Sequence, residues 1–102
     1  MDVKELKSFV CLSKNLNFSL AAKQCAMSTS ALSRTINRLE NELNTTLFIR
    51  NNKTVTLTEA GKLLLTYAQN TLQNYDYLKT SIQVLKSPIK GKLKLYCSVT
   101  AS

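Results

Sequence analysis

The sequence predicts a mainly α-helical fold, and three observations lead there. Apolar residues recur at helical spacing in separate stretches before residue 44. A short alternating stretch around Asn51-Asn52-Lys53 then has the pattern of a two-stranded hairpin. A long stretch from Thr58 to Lys86 carries side chains at steps of three and four, sustained over successive heptads.

The first helix is expected over residues 2–14, with Val3, Leu6, Phe9 and Val10 as its apolar stripe and Lys4, Glu5, Lys7 and Lys14 outside. Asn15 to Asn17 break it. Ser19 can cap a short second helix in which Ala21, Ala22 and Cys25 are small enough for close packing by a neighbour. Only a tight turn then separates it from Ser28, an N-cap whose hydroxyl can accept from a free backbone N–H. The third helix places Leu32, Ile36, Leu39 and Leu43 on one face. Its opposite face carries Ser33, Arg34, Asn37, Arg38 and Asn41. Two short helices joined by a tight turn, the second exposing Arg and Asn, form a helix-turn-helix signature.

A helix of that kind fits a DNA major groove, where arginine reads guanine and asparagine reads adenine. The alternative is a solvated surface helix. Asn44 tolerates the left-handed conformation that ends helices. In the hairpin, Leu47 and Ile49 alternate with Phe48 and Arg50, and Val55 and Leu57 with Thr54 and Thr56. This predicts a two-stranded wing with a basic, amide-rich tip; an ordinary surface hairpin has the same pattern. Thr58 is the next N-cap, with Glu59 in the first turn where the helix dipole favours an acid. Leu64, Ala68, Thr71, Tyr75, Leu78, Ile82 and Leu85 form the seam of the long helix. So broad a stripe must be covered, either by a second copy or inside the chain's own core; pairing of two copies is the favoured reading. Ser87-Pro88 end this helix. Leu93, Leu95, Cys97 and Val99 then alternate as a strand, which is not stable alone and so opens a further domain. The predicted organisation is a winged helix-turn-helix over 1–58, a linker or dimerisation helix over 59–87, and a hinge with the first strand of an effector domain over 88–102.

Composition narrows the function. The 102 residues carry fourteen Lys/Arg against six Asp/Glu, a net charge of +8. That favours polyanionic partners, nucleic acid first. Histidine is absent, which removes the commonest general base and the commonest metal ligand. With no Gly-rich phosphate loop either, an enzyme is not expected. Cys11, Cys25 and Cys97 show no zinc spacing and no disulfide framework, and are expected as small buried hydrophobes in a reducing compartment. No metal or cofactor is expected. No apolar run is long enough for a bilayer and the N-terminus lacks an apolar signal core, so a cytoplasmic protein without membrane contact is expected.

Taken in order, Phe9, Phe18 with Ala21-Ala22, Ala31-Leu32-Ser33-Arg34, Ile36, Leu39-Glu40, Leu47-Phe48 with Arg50, and Leu57-Thr58-Glu59-Ala60-Gly61 resemble the N-terminal domain of the LysR-type transcriptional regulators. The likeness covers nearly the whole chain. The chain departs from the family pattern at Asn44 (usually glycine), at Cys25 (usually leucine) and at Thr29-Ser30 (often Gln-Pro).

The resemblance implies sequence-specific binding of double-stranded DNA at an interrupted palindromic operator. It implies a homodimer through antiparallel linker helices, tetramers of the full-length chain, and a C-terminal domain that senses a small molecule. Arg34 and Arg38 would then supply base or phosphate contacts. Ser28, Thr29, Ser30, Ser33 and Asn37 would position the helix, and Arg50, Asn52 and Lys53 would touch backbone or minor groove from the wing. Within the family, Thr54–Gly61 and Cys97–Ser102 are similar to regulators of branched-chain amino acid biosynthesis, which implies acetohydroxy acids as effectors and Ser98, Thr100 and Ser102 as hydroxyls facing the effector carboxylate. The competing function is a helical dimerisation or adaptor module that meets acidic proteins through its charge.

Overall fold

A computed structural model describes residues 1–86. Its elements run α1 (Val3–Asn15), α2 (Phe18–Gln24), α3 (Thr29–Leu43), β1 (Phe48–Arg50), β2 (Val55–Leu57) and α4 (Glu59–Lys86). The described residues are mainly helical, with one small antiparallel wing, as the sequence predicts.

Each helix begins where a side chain can take a free N–H. Asp2 caps α1 and forms a capping box with Glu5: the Glu5 N–H donates to Asp2 Oδ1 at 2.8 Å, and Asp2 N–H to Glu5 Oε1 at 3.2 Å. Asn17, not Ser19, caps α2, because its Oδ1 accepts from Leu20 N–H at 2.9 Å. The helix thus starts two residues earlier than its hydroxyl residue suggests, since an amide oxygen caps as well as a hydroxyl. Ser28 caps α3 through Ala31 N–H at 3.0 Å, and Asn44 ends it at φ 55°, in the left-handed region. Ala26, in the turn between α2 and α3, also sits at positive φ (56°), a conformation costing a non-glycine residue about 1 kcal/mol.

Leu6, Phe9 and Leu12 of α1, Ala21 and Ala22 of α2, and Leu32, Ile36 and Leu39 of α3 form one buried cluster with Leu47, Phe48, Leu64 and Ala68. Two alanines on α2 let α1 and α3 approach closely, as expected from their size. Phe9 and Phe48 meet with ring centroids 5.3 Å apart at a 53° tilt, which fastens the wing to α1. Leu43, expected on the same face, is exposed, because the core ends a turn before α3 does. The wing also departs from simple alternation. Leu47 and Phe48 are both buried and Ile49 is exposed. Leu47 precedes β1, so the pleat starts only at Phe48, which pairs with Leu57.

Two compact units divide the chain, one of them Met1–Leu72 and the other starting at Gln73. The first unit runs past the expected boundary at residue 58 because Leu64 and Ala68 complete its core. The hinge, the strand from Leu93, Cys97, and the effector candidates Ser98, Thr100 and Ser102 lie outside the described residues.

Cys11 and Cys25 are free thiols, half-buried rather than fully buried. Burial, with the neighbouring Cys11 adding to it, pushes the Cys25 thiol up from 9.0 to about 11. A raised pKa favours the neutral thiol in the folded chain. Its contribution to stability is therefore complete below pH 9 and is lost as pH rises toward 11. Iodoacetamide at pH 8 should label Cys25 at least roughly tenfold more slowly in the folded chain than in urea, since the thiolate is the nucleophile. Equal rates would remove this account.

Candidate nucleic-acid interface

α3 presents its outward face because its other face is consumed by the core. Leu32, Thr35, Ile36 and Leu39 are buried, and the buried Thr35 hydroxyl is satisfied by Ala31 O at 3.1 Å. Ser30, Arg34, Asn37 and Asn41 point the other way and are exposed. Ser28 and Thr29 sit exposed at the start of the helix, and Ser33 is half-buried on one flank.

The arginines differ in what holds them. Arg34 is exposed and has neither an ion pair nor a side-chain hydrogen bond among the described residues. Arg38 lies on the flank toward α1, where its Nη1 donates to Glu5 Oε2 at 2.6 Å; its side chain remains 64% exposed. Arg50, the wing residue expected to touch backbone or minor groove, has its guanidinium 4.9 Å over the Phe18 ring, where it donates to Asn37 Oδ1 at 3.2 Å and approaches Glu40 Oε1 at 3.6 Å. It ties β1 to α2 and α3.

Glu40 and Asn51 hold the wing in place. Glu40 Oε2 accepts from Leu47 N–H at 2.8 Å and Phe48 N–H at 3.3 Å, so one carboxylate fixes the entry to the wing against α3. Nothing local in the sequence marks that role. Asn51 did carry a signal. Its Oδ1 accepts from Thr54 N–H at 2.9 Å, Lys53 N–H at 3.1 Å and Thr54 Oγ1 at 2.8 Å, an Asx-type turn. That turn leaves Asn52 and Lys53 exposed at the tip.

Among the dimer-seam residues, Leu64 and Ala68 are buried in the core of their own unit, which leaves no surface there for a partner. Thr71 is half-buried. Tyr75, Leu78, Ile82 and Leu85 are 38%, 53%, 42% and 80% exposed.

Among the described residues no helix is long and apolar enough to cross a membrane, and no cluster of three or more His, Cys, Asp or Glu could hold a metal ion.

Residues 3–62 match the family described as bacterial regulatory helix-turn-helix protein, lysR family. Over all 102 residues the chain is 44% identical to the HTH-type transcriptional regulator IlvY of Escherichia coli, of which it covers 34%. It is 45% identical over the same length to the HTH-type transcriptional activator IlvY of Haemophilus influenzae, covering 35% of that protein. The chain thus spans about a third of the length of the curated relatives it matches. Among solved structures, the BenM DBD in complex with benA site 1 DNA matches at a TM-score of 0.81 and 30% identity, over 86% of this chain and 99% of that one.

Proposed function

The chain belongs to the lysR family of bacterial regulatory helix-turn-helix proteins, and we propose that it binds double-stranded DNA sequence-specifically, as a transcription regulator acting in the cytoplasm. The observation that carries this reading is Arg34: an unpaired guanidinium, among the described residues, on the outward face of a capped helix in a chain of net charge +8. The helix-turn-helix sets such a face in the major groove, and the exposed Asn52 and Lys53 of the wing tip lie within the same unit to meet backbone or minor groove. A neighbour of the same fold is held on DNA in its solved structure, which supports the same use here.

Two finer readings accompany it. Dimerisation is assigned to Tyr75, Leu78, Ile82 and Leu85, whose exposure along one heptad stripe leaves apolar surface that water disfavours. Pairing of this stripe across two copies suits an interrupted palindromic operator, and the full-length chain would assemble further, as a tetramer. Regulation of branched-chain amino acid biosynthesis by a small-molecule effector, of acetohydroxy acid type, rests on the resemblance carried by Thr54–Gly61 and Cys97–Ser102, and the likeness to the IlvY regulators supports the regulator class.

Titrations of two variants on cognate and scrambled duplexes test the DNA reading. Arg34→Ala should cost about 1–3 kcal/mol on the cognate site and much less on scrambled DNA. Arg38→Ala, on the flank, should weaken both more evenly and flatten the salt dependence by roughly one unit of slope. Cognate binding by Arg34→Ala equal to that of the unaltered chain would take α3 out of the groove. Absence of any sequence preference would favour an adaptor that meets acidic proteins.

A further inference from the structure

We infer that Asn37 reads guanine, not adenine, because Arg50 fixes the direction of its amide. The inference rests on the DNA-binding reading above and adds to it the specificity of one contact. Asparagine pairs with adenine by using both edges of its amide at once: the oxygen accepts from N6 and the nitrogen donates to N7. Here the oxygen is already directed elsewhere. Arg50 Nη2 donates to Asn37 Oδ1 at 3.2 Å, and a guanidinium only donates, so the opposite amide orientation would set donor against donor.

Arg50 is itself held in place. Its guanidinium stacks 4.9 Å over Phe18 and lies 3.6 Å from Glu40 Oε1, while Glu40 is fixed by the N–H groups of Leu47 and Phe48. The carbonyl of Asn37 is therefore turned toward β1, and its NH2 is the edge left for a partner. In the major groove guanine offers two adjacent acceptors, N7 and O6, whereas adenine offers one acceptor beside the N6 donor. An outward NH2 suits the first pattern. The positive guanidinium beside it reinforces that choice, since it disfavours the amino group of adenine and favours the carbonyl of guanine.

Selection from a random DNA pool, followed by sequencing, tests this with the 102-residue chain and Asn37→Ala, an exposed site whose truncation leaves the core untouched. The expected result is one operator position at which the unaltered chain prefers a G·C pair and Asn37→Ala loses about tenfold of that preference. Replacing that guanine with 7-deazaguanine, which lacks the N7 acceptor, should weaken the unaltered chain by about the same factor and leave Asn37→Ala unaffected. Arg50→Met keeps an aliphatic stem over Phe18 and frees the Asn37 carbonyl. If its circular dichroism matches that of the unaltered chain, its preference at the same position should move toward A·T. An A·T preference in the unaltered chain at the position that Asn37→Ala relaxes overturns the inference, as does a 7-deazaguanine effect that survives in Asn37→Ala. A pool that yields no preferred sequence at all fails the DNA-binding reading itself, a different and separable outcome.

Discussion

Leu78→Lys together with Ile82→Lys is expected to convert a dimer into monomers. Both side chains lie on the exposed stripe of α4, four residues apart and each three residues from a seam neighbour, Tyr75 or Leu85. In a pair of helices, each lysine would bury a charge with no partner, at a cost of about 3–5 kcal/mol. Association should weaken by at least about a thousandfold, the factor that a single such charge implies. The lesion is local, because neither residue belongs to the buried cluster and both follow Leu72, the end of the first compact unit. Circular dichroism of the variant should therefore keep the helical signal of residues 1–72, while sedimentation reports the loss of the dimer. An unaltered chain that remains monomeric at ~50 µM, far above the range of specific complexes, would end the pairing hypothesis. A double-lysine variant that stays dimeric would move the interface off this stripe.

Gly61→Ala is the second large effect, and here the effect is on folding. Alanine favours an α-helix over glycine by about 1 kcal/mol, so helix propensity alone predicts a gain. Packing predicts the reverse. A Cβ at residue 61 would collide with the Leu47 carbonyl oxygen and come within 2.7 Å of Leu57 Cδ1. The carbonyl cannot retreat easily, since it accepts from Thr58 N–H at 3.0 Å and from Thr58 Oγ1 at 3.1 Å. Thr58 in turn caps α4 through Gly61 N–H at 3.0 Å. The close approach of α4 to the base of the wing thus depends on the missing side chain. The net loss should be about 3 kcal/mol, the upper part of the usual overpacking range. Urea unfolding would read it as a lowered midpoint. A variant as stable as the unaltered chain would mean that the wing can move away from α4 at little cost.

Several elements were legible because their signals are short in sequence. Ser28 at the start of α3, Asn44 at its end and Thr58 before α4 act on backbone groups a few residues away. The helical period in Leu32, Ile36 and Leu39, and the turn at Asn51-Asn52-Lys53, are equally local. The start of α2 is equally local but offers two capping residues two positions apart, Asn17 and Ser19, and the capping box of Asp2 and Glu5 also lies within a few residues. The family resemblance drew on the same local runs, joined in order.

Local pattern alone sets the helices, the wing between them, and the surplus of positive charge on a helix face rich in Arg and Asn. Folding then selects which of these cations is free. Arg38 meets Glu5, thirty-three positions away, and Arg50 meets Asn37, thirteen away, whereas Arg34 meets nothing among the described residues. The same step divided one heptad stripe, burying Leu64 and Ala68 in the core while Leu78 and Ile82 stayed exposed. The physical reason is common to both. Caps and periodicity depend on backbone neighbours within a turn or two, but burial and ion pairing depend on what the folded chain brings alongside, and residues with identical local patterns meet different surroundings there.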